Sequence, residues 1–361
     1  MPATIYRNRK SETIENDAIR LTVTAEGGNI AEVFHKGANL NPLWTPPWPS
    51  IEPSRFNTSI SKEYGVSDEA RILSAIMGHS LCLDTYGSPS REESLVGIPV
   101  HGEGSLVPYS ITSGTNFISL TGVLPLAQVA FDRRIRLADN GVAIHFEESV
   151  SNLSNSDRPI AWTQHVVIGP PFLERGKTQL RIPVTRSRVF DGDFANGRGF
   201  QKAGSDFDGL LCPRKDGGFI DLRVFPDEDV SGGFTTHLLD PSEHHAFFVS
   251  WSPSTKLAFG YIWKRQDFPW LCRWEEQCLR SDPPWNSQTV ACGLEFGVSP
   301  TLGSRREMVN RGALFGTPCF RWVPARSSIT VNYCAFLRLC DGIPEKVTWD
   351  GLDLVEFHEM A

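Results

Sequence analysis

A chain of 361 residues, 40% hydrophobic and 21% charged, has the make-up of a globular protein with a substantial core. Its formal net charge is −7 and no block of lysine and arginine stands out, which argues against nucleic acid or an anionic membrane as a partner. No apolar run is long enough for a membrane-spanning helix, Met1 to Lys10 shows no apolar signal segment, and the eight cysteines include no C-x-x-C pair, so free thiols in a reducing cytoplasm are expected rather than a zinc ribbon or thioredoxin-like motif.

The dominant period along the chain is two. Ile19, Leu21 and Val23 alternate with Arg20, Thr22 and Thr24, a half-buried strand ending in the Glu26-Gly27-Gly28 turn. The stretch from Asn41 to Pro53 holds five prolines and cannot lie inside a sheet, because proline donates no ladder hydrogen bond. It reads as an ordered loop whose Trp44 and Trp48 pin it to the core, in preference to stacking on a ligand. Residues 68–77 are the best helical stretch. Arg134 to Leu137 and Val142 to Glu147 flank Asp139-Asn140-Gly141, a strong hairpin signal. A turn from Asn152 to Pro159 leads into a strand from Ile160 to Ile168. Further strands are expected at 219–225, 245–251, 257–263, 289–296 and 329–338. Proline and glycine punctuate the chain throughout, and no repeat, low-complexity tract or linker interrupts it. Many short strands separated by polar turns imply an all-β sandwich or barrel, with residues 1–361 forming one domain.

Three short polar sites carry proton chemistry: His101-Gly102-Glu103-Gly104, Gln164-His165 and Gly293-Leu294-Glu295. Two imidazoles and two carboxylates make an acid–base set that needs no metal or cofactor. Each site also has a plain structural reading: a turn for the first, a satisfied core histidine for the second, a solvent-facing strand carboxylate for the third. Other motifs fall away. Arg175-Gly176-Lys177-Thr178 resembles the end of a phosphate loop, but the required upstream glycine is Pro171 and the next residues read as strand. His101-x-Glu103 is half of a zinc deaminase signature without its cysteine half. His244 and His245 alternate to opposite faces of an extended segment.

The order of the three sites resembles that of the aldose 1-epimerase (galactose mutarotase-like) superfamily. So do the opening hairpin, Ile19 to Val33, and the closing strand, Ser327 to Leu337. The resemblance spans most of the chain and rests on short motifs. It implies a β-supersandwich of large antiparallel sheets with a sugar cleft on the concave face of the larger one. It also implies interconversion of sugar anomers, with Glu295 as general base, His165 as general acid and His101 in support. The family's usual H-G-G is H-G-E here, which marks Glu103 as a candidate substrate contact and the chain as a divergent branch. Gln164, together with Asp267, Arg273 and Trp274 in the aromatic-rich segment before the Glu295 strand, complete the expected sugar contacts. A glycoside hydrolase using Glu103 and Glu295, or a non-catalytic sugar-binding protein, are the competing readings. In each case the partner is a small sugar.

Overall fold

The computed structural model describes residues 4–139, 141–192, 198–351 and 355–359. The chain is all-β. Among the described residues two antiparallel sheets dominate, one of twelve strands and one of eight. At the centre of the larger sheet lie, in spatial order, His79–Asp84, Arg158–Ile168, Val290–Gly297, Trp270–Gln277 and Ser231–Leu239. The smaller sheet has Leu257–Lys264, Ser328–Leu339, Ala143–Asn152 and Val129–Leu137 at its middle.

Period-two alternation explains how these strands bury both faces. Trp162, Val166 and Ile168 of one strand, and Cys292, Leu294 and Phe296 of the next, point into the core between the sheets, where they meet Phe146, Tyr261 and Tyr333. The intervening Ala161, Val167 and Ala291 point the other way, into a second apolar cluster with Trp44, Ile72, Phe234, Trp274 and Trp285. A strand covered on both sides reads as a nearly continuous apolar run, and 160–168 reads so on either side of Thr163, Gln164 and His165. This second, covered face carries the site.

Most strand expectations match: His245–Ser252, Leu257–Lys264, Val290–Gly297 and Ser328–Leu339 all form. The 219–225 strand shrinks to Phe219–Asp221. The helix at 68–77 is only Ala70–Leu73, with no side-chain cap at its start; a short uncapped helix gains too few hydrogen bonds to offset its nucleation cost. The strands either side of Asp139 pair antiparallel, while Asn140 at the turn lies outside the described residues. Gln179–Arg181 is a strand, as the rejection of a phosphate loop requires. The proline-rich loop is tied down by Trp44 N–H, which donates to Val167 O at 2.8 Å, and by Trp48 Nε1, which donates to Leu73 O at 2.8 Å. All eight cysteines are free thiols, six of them buried.

Candidate active site

Register brings the second and third sequence sites together. His165 and Glu295 are directly paired residues on adjacent antiparallel strands, and Cys272 is paired with Glu295 on the strand beyond. Paired residues share a face, so the imidazole and carboxylate meet: His165 Nε2 lies 3.4 Å from Glu295 Oε1. A Cβ on Gly293 would stand 2.5 Å from that same Oε1, so the glycine two residues upstream leaves room for the carboxylate.

His101 arrives from a loop rather than a strand. Its φ is +63°, in the left-handed region, and Gly102 follows at φ +75°. A Cβ at Gly102 would stand 2.0 Å from the carbonyl oxygen of Leu83, so the turn can press against the sheet only with glycine there. His101 N–H donates to Gly87 O at 2.9 Å. Its ring centre lies 5.6 Å from that of His165. A non-glycine residue held left-handed costs about 1–3 kcal/mol, a cost that persists where surrounding structure fixes it and that clusters at functional sites.

His101, His165 and Glu295 line one cavity of about 580 Å³, within the size range of small-molecule sites. Trp44, Trp274 and Trp285 form one wall, with Ile72, Leu73 and Ile76 beside them. Arg280 also reaches the cavity; its guanidinium lies over the rings of Trp285 and Trp274, 4.6 and 5.8 Å from their centres. Glu69, Glu307 and Arg306 add charge, and Ser88, Ser90 and Ser304 add hydroxyls.

Burial raises the proton affinity of Glu295, while His165 and a hydrogen bond from Tyr86 pull it back down. His101 is pushed down to about 3, chiefly by burial and then by His165 and Arg280. It is therefore a neutral imidazole at ordinary pH. His101 Nδ1 and His165 Nδ1 are buried without a hydrogen-bond partner among the described residues. No group of three or more His, Cys, Asp or Glu side chains among the described residues is arranged to hold a metal ion.

Four expected sugar contacts lie elsewhere. Gln164 alternates to the opposite face from His165 and is buried in the inter-sheet core, bonded to His79, Arg133 and Glu148. Arg273 likewise faces away from Trp274 and pairs with Glu275 at 2.8 Å. Asp267 sits outside the cavity beside Arg321 at 3.4 Å. Glu103 is buried and accepts from Ala127 N–H at 2.9 Å; glycine on both sides let the backbone, not the carboxylate, approach the sheet. Of the expected contacts, Trp274 lines the cavity. Sequence reasoning missed Tyr86, Arg280 and Trp285, and for Trp44 it favoured packing over stacking on a ligand. Tyr86 and Trp285 sit in irregular segments with no periodic pattern to aim them. Arg280 was adjacent to the aromatic-rich segment, and its spacing of six from Trp274 was the only signal.

No family profile matches the sequence, and no curated protein matches it. Solved structures do. A Klebsiella pneumoniae protein provisionally named an aldose 1-epimerase superimposes with a TM-score of 0.66 at 15% identity, over 92% of this chain and 81% of that one. A galactose mutarotase-like protein from Clostridium acetobutylicum gives 0.61 at 12% identity, over 94% and 98%. A galactose mutarotase related enzyme from Lactobacillus acidophilus gives 0.57 at 12% identity, over 91% and 97%. At such identities the likeness is one of fold: the chain has the galactose mutarotase-like fold, in a divergent sequence.

Proposed function

We propose that this protein is an isomerase that interconverts the anomers of an aldose by opening and reclosing the hemiacetal ring. The observation that carries the reading is the His165–Glu295 pair, 3.4 Å apart on paired strands and facing one cavity with His101. Ring opening needs a base at O1 and an acid at the ring oxygen. Glu295, as carboxylate, takes the O1 proton as the C1–O5 bond breaks. His165, as imidazolium, gives its proton to O5. Rotation about C1–C2 in the open-chain aldehyde, followed by the reverse transfers, closes the other anomer. A carboxylate whose proton affinity is raised by burial is a stronger base than one in water. His101, held neutral, donates a hydrogen bond near O5 rather than a charge. Trp44, Trp274 and Trp285 offer faces for sugar C–H surfaces, and Arg280 and Glu69 offer partners for hydroxyls.

The glycoside hydrolase reading with Glu103 as the second carboxylate is not favoured, since Glu103 lies outside the cavity and is bonded to Ala127. The test is polarimetry on freshly dissolved single anomers of glucose, galactose and other aldoses. Wild type accelerates equilibration of at least one. Glu295→Gln lowers that rate about 10²–10⁴-fold, the usual contribution of a positioned base, while circular dichroism shows the fold retained. Undiminished catalysis by the folded variant would remove Glu295 from the mechanism.

A further inference from the structure

The two oxygens of Glu295 have different surroundings. Oε1 faces His165. Oε2 accepts a hydrogen bond from the hydroxyl of Tyr86, 209 positions away in the chain. The phenol has little freedom. It is 1% exposed, its carbonyl accepts from Gly303 N–H at 2.6 Å, and its ring packs against His101 and Phe234 with centres 6.1 and 6.3 Å away. The next residue, Gly87, receives the backbone bond from His101. Tyr86 therefore ties the loop that carries one proposed functional group to the side chain of another.

We infer that Tyr86 is a positioning residue for the base: its hydroxyl holds the Glu295 carboxylate with Oε1 turned toward His165, and it sets the pH at which Glu295 gives up its proton. The catalytic half of this statement rests on the function proposed above; the electrostatic half does not.

A hydroxyl that donates to a carboxylate favours the ionised form. At Glu295 this opposes burial, which is the larger influence, and adds to the pull of His165. The phenol keeps its proton, because burial pushes its own affinity well above the usual range. Other titratable groups face the pair. His101 approaches from the loop. The Cys82 and Cys272 thiols lie on the His79–Asp84 and Trp270–Gln277 strands, both pushed up by burial and so neutral. Arg280, Arg306, Glu69 and Glu307 line the rest of the cavity. Of these, the Cys272 thiol is also within hydrogen-bond reach of the Tyr86 hydroxyl; it is neutral, so the charge that the hydroxyl stabilises is that of Glu295, and its removal is read in the Glu295 titration.

Tyr86→Phe keeps the ring and deletes the donor. The acid limb of the mutarotation rate moves up by about one to two pH units, the equivalent of one hydrogen bond to a charged group. The sign follows from the lost stabilisation of the carboxylate: the variant needs a higher pH to ionise Glu295. The same shift appears without sugar or turnover, in a carbon-13 NMR titration of labelled glutamate carboxyls, with Glu295 assigned through Glu295→Gln. Site-specific monofluorinated tyrosine at position 86, a stronger donor, moves the midpoint down. A Glu295 midpoint that stays put or moves in the opposite sense in these proteins overturns the inference. If no aldose is equilibrated faster, the proposed function fails, and the NMR titration still decides the role of Tyr86.

Discussion

Two buried acid–base constellations sit back to back on the strand Arg158–Ile168, one residue apart in sequence. On the core side, Gln164 joins a network with Arg133, Glu148, His79, Tyr261 and Tyr333. Both oxygens of Glu148 are engaged: Oε1 by Arg133 Nε at 2.6 Å and the Tyr333 hydroxyl, Oε2 by Trp162 Nε1 at 3.1 Å and Gln164 Nε2 at 2.6 Å. Both nitrogens of His79 are engaged as well, by the Tyr261 hydroxyl and Gln164. On the cavity side, His101 Nδ1, His165 Nδ1 and Trp274 Nε1 find no partner among the described residues. Buried polar groups normally find partners, and the exceptions call for an explanation such as a catalytic role. The same residue types thus serve two ends. Bonded throughout, as in the Gln164–Glu148–His79 network, they lock two sheets together; left short of partners around a cavity, they are available to a ligand. The difference is one between these two clusters, since Arg273 Nε and Nη2 on the core face also lack partners among the described residues.

The largest effect that tests this contrast is on the core side. Arg133→Met leaves the Glu148 carboxylate buried without its cation, and breaking a buried pair in this way costs about 3–5 kcal/mol. Urea denaturation reads the loss, while catalysis per folded molecule stays as in wild type. Glu295→Gln should show the opposite pattern, with the rate lost and stability nearly kept. If Arg133→Met were as stable as wild type, full satisfaction would not be what distinguishes the Gln164 network from the cavity cluster.

Which face a side chain occupies was largely legible in the sequence, and two contacts went astray where the alternation was not carried through. Gln164 and His165 are consecutive in a strand, as are Arg273 and Trp274. A period of two allows only one of each pair to reach the cavity; the structure places His165 and Trp274 there. The pairing of His165 with Glu295 was not legible, because register between strands 130 residues apart in sequence is set by the whole sheet. Tyr86 was hidden for a related reason. It lies just past the end of the His79–Asp84 strand, where periodicity stops, and its partner is brought to it only by tertiary structure. His101 and Gly102 were recognisable because an imidazole beside glycine is a local signal, and because the order of the three polar sites resembles that of a known superfamily.

A smaller effect concerns pH. His237, on the core side, is fully buried and bonded on both nitrogens, to Ser187 Oγ at 2.7 Å and Thr235 Oγ1 at 2.9 Å. Burial first, then Arg273, pushes it down to about 3. Unfolded, it titrates near 6.5. As pH falls below that value the unfolded chain binds a proton that the native state refuses, so stability present above about pH 6.5 is lost progressively toward pH 3. The loss from this group is about 2 kcal/mol between about pH 7 and about pH 5. His101, shifted to about 3 as well, adds in the same sense. Glu295, raised by burial, acts in the opposite sense, because the native state then takes up a proton before the unfolded one. Comparing wild type with His237→Asn at the two pH values cancels both contributions, and the variant should lose about 2 kcal/mol less. An equal loss in the two proteins would show that His237 is not held neutral by its burial.

The smallest effect falls on Glu103, which the sequence marked as the point of departure from H-G-G. Its side chain belongs with the satisfied groups: it is 7% exposed, and its Oε2 accepts from Ala127 N–H. Burial raises its proton affinity and the backbone donors at Ala127 and Leu126 lower it, so the protein supports the carboxylate with main-chain dipoles and asks no ligand to do so. Glu103→Gln retains an oxygen in the same place, so the bond to Ala127 survives in its neutral form. Stability should change by less than about 1 kcal/mol, the difference between a charged and a neutral acceptor in one hydrogen bond. The rates toward different aldoses should keep their order, because the substitution touches no wall of the cavity. A change in sugar preference with stability intact would mean that Glu103 swings into the site when substrate binds, and the boundary drawn between the two classes of buried group would have to move to include it.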